Sequence, residues 1–396
     1  MGIPVQGHCD ARFAEIREIF EKSFDGDEEI GAAICFVVDG ETVVDLWGGH
    51  VDPERTRPWE RDTIVNTYST TKGMTAICAH QLIERGMIDL DAPVAKYWPE
   101  FAAAGKAELP VRWLLSHQAG LPAVRKPLPD DAVVNWDVMV AALAEQEPWW
   151  EPGTKHGYHA LTFGFLVGEV IRRASGKTVG EWFREHVSGP LDADYHIGFG
   201  PELDARTSDL QGSLLPSSGG GGDDVPDIPG PLGQMMKDMR DPSTMTGAAF
   251  NNPARGADRV NTREWRAAEV PAANGHGTAR ALARIYGALA RGGEIDGVRL
   301  LEPESIELAR SEQAFGPDAV LGQLPMRFGL GFMLRQDLMP LSPSPNAFGH
   351  PGAGGSIGMA DPDAKVGFGY TMNKMHLGLV GGPSAFAVLR RFFELI

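Results

Sequence analysis

The sequence predicts an α/β (α+β) fold, in which a mainly antiparallel β-sheet is flanked by helices and an all-helical domain is inserted. Three observations predict it. Strand-like apolar runs lie near both ends of the chain, helical periodicity dominates the middle, and Asp39-Gly40 separates two apolar runs as a hairpin turn would. We therefore expect a sheet domain at residues 1–66 and 275–396, with a helical domain at residues 67–274 between its halves.

The N-terminal region is predicted to begin with one helix and to continue as a hairpin. From position 10 onward, apolar side chains recur at helical spacing, at Phe13, Ile16, Ile19, Phe20 and Phe24. The run IGAAICFVVDGETVVDLWGG follows. Its two apolar halves predict two antiparallel strands.

Two long helices are predicted in the middle of the chain. The first runs from Ser69 to Arg85 and ends at Gly86, a residue type that favours helix C-termini. The second runs from Ala160 to Ala174. In the first, apolar residues recur at helical spacing.

Residues 201–245 have no such periodicity and combine a Ser/Gly run with several prolines and methionines. A loop of this length in a compact domain is either functional or disordered. Two interpretations therefore stay open, a flexible surface loop and a lid. In the second, the methionine-rich segment 231–245 would shape an acyl pocket.

Order is predicted to return near the C-terminus. Residues 279–290 have helical spacing, and residues 356–360 and 365–372 are predicted to form two strands joined at Asp361-Pro362-Asp363. A last helix is predicted over residues 384–395. These strands complete the sheet that the N-terminal hairpin begins.

Composition excludes several classes of function. With 36 Lys and Arg against 53 Asp and Glu, the net charge is −17, which is unsuited to nucleic acid. No run approaches the roughly 18 apolar residues of a membrane span, and the N-terminus lacks signal-peptide features, so we expect a cytoplasmic protein without a membrane partner. The three cysteines and eleven histidines show no metal-ligand spacing, so we expect neither metal nor cofactor. A homo-oligomer is left open.

Ser69-Thr70-Thr71-Lys72 is the first candidate for chemistry. Residues three apart lie on one face of a helix, so the Lys72 amine is expected to reach the Ser69 hydroxyl. Burial and the positive end of the helix would favour a neutral amine that accepts the serine proton. The alternative, a serine that caps a helix beside a solvated lysine, stays open on this motif alone.

Two further segments strengthen the catalytic interpretation. Tyr158 precedes the second long helix, and a phenol near serine and lysine can relay protons. The segment GHPGAGGSIG, residues 349–358, has glycines that permit close approach of a substrate to a strand. A backbone N–H of this strand and that of Ser69 would together form an oxyanion hole.

These elements, in this order, resemble the serine β-lactamases and penicillin-binding proteins, whose S-x-x-K element is one of their signatures. The resemblance extends over most of the chain, including VNTYSTTKGMTAICAHQLIERGMIDLDAPVAKYWPEF, VRWLLSHQAGLP, YHALTFGFLVGEVIRRASGK and GHPGAGGSIGMADPD. It is strongest to the class C-like branch, and within that branch to the family VIII carboxylesterases.

The resemblance implies a role for each matching residue. Ser69 corresponds to the nucleophile, Lys72 to its activating base and Tyr158 to the tyrosine of Y-x-N. The second oxyanion donor, beside the N–H of Ser69, is implied to be the N–H of Ala353.

Two departures from the family pattern indicate the substrate. The asparagine of Y-x-N is Ala160, and the K-T-G element is His350-Pro351-Gly352, which implies substrate contacts at His350 and Gly352. An unperturbed imidazole, with a pKa near 6.5, supplies less positive charge than lysine at neutral pH. Both changes favour neutral esters over β-lactams that carry a carboxylate.

The sequence therefore predicts a serine carboxylesterase for short- and medium-chain esters, with a small-molecule ester as its partner. On the same scaffold, a β-lactamase, a D-amino-acid peptidase or amidase and an acyltransferase are alternatives. A catalytically silent binding protein is the alternative from a different class.

Two further residues, Ser356 and Trp150, each have two interpretations. Gly354-Gly355-Ser356-Ile357-Gly358 matches G-x-S-x-G, which would make Ser356 an alternative nucleophile. That motif requires a helix after the serine, whereas a strand is predicted here. Trp150 is predicted either to line an acyl pocket or to pack beneath the Tyr158 segment.

Overall fold

The computed structural model describes residues 5–25, 28–213, 230–253, 259–377 and 381–396. In chain order the strands are β1 (Gln6–Cys9), β2 (Gly31–Val38), β3 (Glu41–Gly49), β4 (Ile64–Asn66), β5 (Tyr195–Ile197), β6 (Thr207–Ser208), β7 (Gly275–Gly277), β8 (Glu294–Ile295), β9 (Val298–Arg299), β10 (Ala314–Pro317), β11 (Pro325–Phe328), β12 (Met333–Leu334), β13 (Phe348–Pro351), β14 (Ile357–Asp361) and β15 (Val366–Met372). The helices are α1 (Ala14–Lys22), α2 (Thr71–Glu84), α3 (Val111–Leu115), α4 (Trp136–Glu145), α5 (Thr162–Ser175), α6 (Val179–Phe183), α7 (Pro231–Asp238), α8 (Met245–Asn251), α9 (Arg263–Ala267), α10 (Ala279–Ala290), α11 (Pro303–Arg310) and α12 (Pro383–Leu395).

The large sheet combines strands from both ends of the chain, as predicted. Its order is β1-β3-β2-β15-β14-β13-β12-β11-β10, and every neighbouring pair is antiparallel. Asp39 and Gly40 form the β2–β3 turn with positive φ angles of 46° and 91°. The predicted hairpin and the two predicted C-terminal strands are thus present.

Helices cover both faces of this sheet. On one face, Phe392 of α12 stacks on Phe36 of β2, with ring centroids 3.9 Å apart. On the other face, α10 packs closely on β15 because Gly369 has no side chain there. A Cβ at Gly369 would lie 2.1 Å from the carbonyl oxygen of Ala279. The sheet is therefore buried on both sides, which explains its apolar strands.

A second, smaller sheet carries the loop in front of α2. Its order is β5-β7-β4-β6, and β4 and β6 are parallel. The sequence analysis missed it, since β5 and β6 lie inside the segment predicted to be all helical and are only three and two residues long. Its strands come from both parts of the proposed division at residues 66/67 and 274/275. That division remains a prediction.

Residues 201–245 contain more regular structure than the sequence analysis predicted. The segment includes β6 and α7, while residues 214–229 lie outside the described residues. Met235, Met236 and Met239 are buried, and a Cβ at Gly322 would meet α7 at the Pro231 carbonyl oxygen, 2.6 Å away. The lid and the acyl pocket remain predictions.

The described residues show no group of three or more His, Cys, Asp or Glu side chains that could hold a metal ion. Among them, no helix has the length and apolar character needed to cross a membrane. Cys9, Cys35 and Cys78 are free thiols, and the last two are buried.

Candidate active site

Ser69 lies in a tight turn between β4 and α2. The helix begins at Thr71, two residues later than predicted, and Tyr68 in the preceding turn adopts a left-handed φ of 43°. The Asn66 side chain stabilises this conformation, as its Oδ1 accepts the Tyr68 N–H at 2.7 Å. Left-handed backbone at a non-glycine residue is costly and is often found at functional sites. The turn places the Ser69 hydroxyl beside the first turn of α2.

Lys72 is fully buried and joins three parts of the chain. Its Nζ lies 3.0 Å from Ser69 Oγ, 2.8 Å from the carbonyl oxygen of Ala160 and 3.0 Å from that of Ala272. A neutral amine has two N–H groups and one lone pair. When the two carbonyls accept the two N–H groups, the lone pair is left for the Ser69 hydroxyl proton. The predicted spacing of Ser69 and Lys72 therefore produces a hydrogen-bonded pair.

Tyr158 is brought to the same place from the segment before α5. It is 3% exposed, and its ring centroid lies 4.8 Å from Lys72 Nζ. Its backbone N–H donates to Oδ1 of Asp318 at 3.1 Å. That oxygen also accepts the N–H groups of Val320 and Leu321, both at 2.8 Å.

Asp318 is a positioning residue that the sequence analysis missed. It is fully buried, and this burial raises the pKa of its carboxyl group. An aspartate whose side chain accepts N–H groups two and three residues later is a local turn signal that the sequence does contain. The sequence offers no signal for its bond to Tyr158, 160 residues earlier in the chain.

Buried imidazoles surround these groups. His159 donates from Nδ1 to the carbonyl oxygen of Gly157 at 2.7 Å, because its Nε2 accepts the Leu121 N–H at 3.0 Å. His117 Nδ1 accepts the His159 N–H at 3.1 Å. Burial lowers the pKa of His159 to about 3 and that of His117 well below its ordinary value. Both rings are therefore neutral at physiological pH.

His350 is more deeply buried than the sequence indicated. It lies on β13 and is 1% exposed, with its ring centroid 6.0 Å from that of Tyr158. Its Nδ1 donates to the carbonyl oxygen of Pro351 at 2.7 Å. Burial, with a smaller contribution from Lys72, lowers the pKa of His350 to about 3. The imidazole is therefore neutral at pH 7, as expected, but its pKa lies below the ordinary value of 6.5 that the sequence suggested, because burial follows from tertiary packing.

We expect the ratio of nitrocefin turnover to p-nitrophenyl butyrate turnover to stay constant from about pH 8 to about pH 5. Since the pKa of His350 is lowered to about 3, its imidazole stays uncharged over this range and gains no attraction for a carboxylate. Both substrates would be attacked by the same nucleophile, so a change in the shared catalytic groups affects both turnovers and cancels in the ratio. A ratio that rises below about pH 6.5, the ordinary histidine pKa, would contradict this.

The turn after β13 carries the predicted second oxyanion donor. The carbonyl oxygen of Gly352 accepts the Gly355 N–H at 3.1 Å, and Gly354 has a left-handed φ of 84°. Within the described ranges, neither the Ala353 N–H nor the Ser69 N–H donates to a protein acceptor. Gly352 cannot carry a side chain, because a Cβ would lie 2.0 Å from the Thr67 carbonyl oxygen. Two free N–H donors thus come from adjoining loops.

Ser356 is buried, and its Oγ donates to the Thr67 carbonyl oxygen at 2.7 Å. The strand β14 follows it directly, so the strand–serine–helix arrangement of a nucleophile elbow is not found. The Ser356 hydroxyl forms hydrogen bonds with Thr67 and Thr70 of the Ser69 loop, and neither partner is a histidine.

Trp150 lies behind the Tyr158 segment. Its Nε1 donates to the carbonyl oxygen of Lys155 at 3.0 Å, and a Cβ at Gly157 would lie 2.8 Å from its ring. These contacts fit the interpretation in which Trp150 packs beneath the Tyr158 segment. A contact between Trp150 and a bound acyl group remains a prediction.

Comparisons with known proteins agree with this geometry. The family model described as beta-lactamase matches residues 16–383. The esterase/beta-lactamase LipL of Mycobacterium tuberculosis is 39% identical over 96% of this chain and 87% of its own length. The crystal structure of a family VIII carboxylesterase has a TM-score of 0.89 at 40% identity and covers 100% of both chains. A penicillin-binding-protein homologue from Caulobacter crescentus has a TM-score of 0.88 at 37% identity, over 99% of this chain and 100% of its own.

These similarities extend over nearly the whole chain rather than over isolated motifs. They confirm the resemblance drawn from the S-x-x-K and glycine-rich segments, the antiparallel sheet flanked by helices, and the expectation of esterase relatives. The chain belongs to the beta-lactamase family.

Proposed function

We propose that this protein is a serine carboxylesterase that hydrolyses short- and medium-chain esters through an acyl-enzyme on Ser69. The observation that carries the proposal is the environment of Lys72. Its amine is buried, 3.0 Å from Ser69 Oγ, and it also donates to the Ala160 and Ala272 carbonyls, which in a neutral amine leaves the lone pair for that hydroxyl. The names of the relatives support the choice of esters.

Acylation begins when Ser69 Oγ attacks the ester carbonyl carbon. The hydroxyl proton passes to Lys72 Nζ as the Oγ–C bond forms. The carbonyl oxygen becomes an oxyanion and accepts hydrogen bonds from the N–H groups of Ser69 and Ala353. The tetrahedral intermediate then breaks its bond to the leaving alkoxide, which takes a proton through the Tyr158 hydroxyl, resupplied by Lys72.

Deacylation repeats these steps with water as the nucleophile. Tyr158 and Lys72 accept a proton from water while its oxygen attacks the acyl carbon. Collapse of the second intermediate releases the carboxylic acid and returns the proton to Ser69 Oγ. The cycle needs no metal ion and no cofactor.

The residues around Ser69 and Lys72 favour neutral substrates. His350 is neutral and Pro351 has no hydroxyl group, so this strand offers no fixed positive charge to a substrate carboxylate. Ala160 contributes only its backbone carbonyl, which is already bound to Lys72. A charge-assisted hydrogen bond is worth about 1.5–3 kcal/mol, so its loss lowers the reactivity of anionic lactams by about one to two powers of ten.

A rate panel tests the proposal against its alternatives. We expect kcat/KM for p-nitrophenyl butyrate to exceed that for nitrocefin, which carries a carboxylate, by at least about tenfold, for the reason just given. We expect it to exceed that for a D-amino-acid amide as well, because an amide is intrinsically less reactive than an activated ester and Ala160 offers no side-chain amide to bind it. Labelling by a fluorophosphonate, mapped to Ser69, separates an enzyme from a silent binding protein. Comparable kcat/KM for nitrocefin and the ester would reject the esterase assignment in favour of a β-lactamase.

Location and assembly are further proposals. We infer a cytoplasmic enzyme whose partners are small esters. The net charge of −17 disfavours nucleic acid and anionic membrane surfaces as partners. Cell fractionation tests the location, and light scattering tests for a homo-oligomer.

A further inference from the structure

We propose that Ser356 is a positioning residue whose hydroxyl holds the turn that carries Ala353 against the loop that carries Ser69, and so sets the distance between the two oxyanion donors. The inference rests on the proposed Ser69 mechanism. It also gives a role to the G-x-S-x-G segment, which the proposed mechanism leaves unused.

The Ser356 hydroxyl contacts the Ser69 loop on both sides of the nucleophile. It donates to the carbonyl oxygen of Thr67 at 2.7 Å and lies 3.1 Å from Thr70 Oγ1. Because its one proton goes to Thr67, the hydroxyl accepts from Thr70. Ser356 is 1% exposed and Thr70 is fully buried, so water does not compete for these bonds.

The backbone of Ser356 binds the turn that carries Ala353. Its carbonyl oxygen accepts the N–H of Gly352 at 2.7 Å, and Ala353 is the next residue along the turn. Gly352 itself lies directly over the Thr67 carbonyl, since a Cβ there would be 2.0 Å from that oxygen. Ser356 therefore binds the turn through its main chain and the nucleophile loop through its side chain.

The Ser356 hydroxyl joins the two loops by hydrogen bonds to Thr67 and Thr70. Among the backbone–backbone hydrogen bonds of the described residues, none joins residues 67–70 to residues 352–356. Loss of the hydroxyl therefore removes two hydrogen bonds between the loops.

The size of the expected effect follows from the geometry of oxyanion holes. Their donors must lie about 2.7–3.1 Å from the developing oxyanion, and removal of one donor costs about 100- to 1,000-fold in kcat. Loss of the Ser356 hydroxyl displaces a donor without removing it. We therefore expect a smaller loss of about 10- to 100-fold in kcat, with KM changed by less than about threefold.

The test measures Ser356→Ala with p-nitrophenyl butyrate and with 1-butaneboronic acid, which forms a tetrahedral adduct on a serine nucleophile. We expect kcat to fall and the inhibition constant of the boronic acid to rise by similar factors, since both report on the oxyanion donors. Ser342→Ala is the matched control, because Ser342 is also buried, bonds Asp361 at the far end of β14, and lies away from the site. Ser342→Ala should keep the native kcat even if its melting temperature falls.

The outcomes separate this inference from the proposed function. A fluorophosphonate that labels a residue other than Ser69 in the native protein rejects the proposed mechanism. Labelling at Ser69 with native kcat in folded Ser356→Ala overturns the inference alone, and so does a loss of kcat with unchanged boronic acid affinity. Should Ser356→Ala not fold, Ser356→Cys places a slightly larger side chain with a weaker donor at the same position, and the same two measurements decide.

Discussion

Replacement of Ser69 by alanine is expected to lower kcat for p-nitrophenyl butyrate by about 10,000-fold or more. The Ser69 hydroxyl is the group that Lys72 faces, and without it no acyl-enzyme forms. Residual activity would come from the two N–H donors and substrate binding, which alone give modest catalysis in other serine hydrolases. Stopped-flow release of p-nitrophenol should also lose any initial burst.

Ser356→Ala provides the contrast to Ser69→Ala. Both changes remove a serine hydroxyl, but the Ser356 hydroxyl already donates to the Thr67 carbonyl and is not placed to attack a substrate. We expect a loss of only about 10- to 100-fold there, as argued above for a displaced donor. An active Ser69→Ala beside an inactive, folded Ser356→Ala, with far-ultraviolet circular dichroism as the check on folding, would reverse the assignment.

Local patterns in the sequence were sufficient for the parts of the fold with strong periodicity. The α2 and α10 helices and the β2–β3 and β14–β15 pairs repeat apolar residues over many positions, and each was predicted within a few residues. The strands β5 and β6 were missed because two or three residues show no period. The start of α2 was predicted two residues too early, since the turn before it, in which Asn66 accepts the Tyr68 N–H, has no periodic signal in the sequence.

The candidate site also combines features that local sequence patterns predicted with features that depend on distant residues. Ser69 and Lys72 are close in sequence, so helical spacing was enough to pair them. The acceptors that orient Lys72, at Ala160 and Ala272, are 88 and 200 residues away and act through backbone oxygens that any residue type could supply. The altered pKa of His350 has the same origin, since burial follows from tertiary packing rather than from neighbouring residues.

Lys72→Met and Tyr158→Phe are each expected to lower kcat by about 1,000-fold, with much smaller changes in KM. Methionine keeps most of the volume of the buried lysine but has no amine, so Ser69 loses its base. Phenylalanine keeps the ring that lies 4.8 Å from Lys72 Nζ and removes only the hydroxyl that relays the proton. Steady-state kinetics with p-nitrophenyl butyrate measure both effects.

Lys106→Met is the matched control for the loss of a buried lysine. Lys106 is also fully buried and donates to three backbone carbonyls, those of Ala103, Ala144 and Gln146, at 2.9, 2.9 and 2.7 Å. Among its hydrogen bonds in the described ranges, none reaches Ser69 or Tyr158. Lys106→Met should therefore lower the melting temperature as Lys72→Met does, yet keep kcat close to the native value.

The double variant Lys72→Met/Tyr158→Phe decides whether the two groups work together. If Lys72 and Tyr158 pass one proton between Ser69 and the leaving alcohol, removal of either breaks the relay, and removal of the second costs little more. The double variant should then be within about tenfold of the poorer single variant, as is found for residues that act as one unit. Losses that multiply to about a millionfold would mean that the two groups serve separate steps. Lys72 would then act on Ser69, and Tyr158 would protonate the alcohol without Lys72.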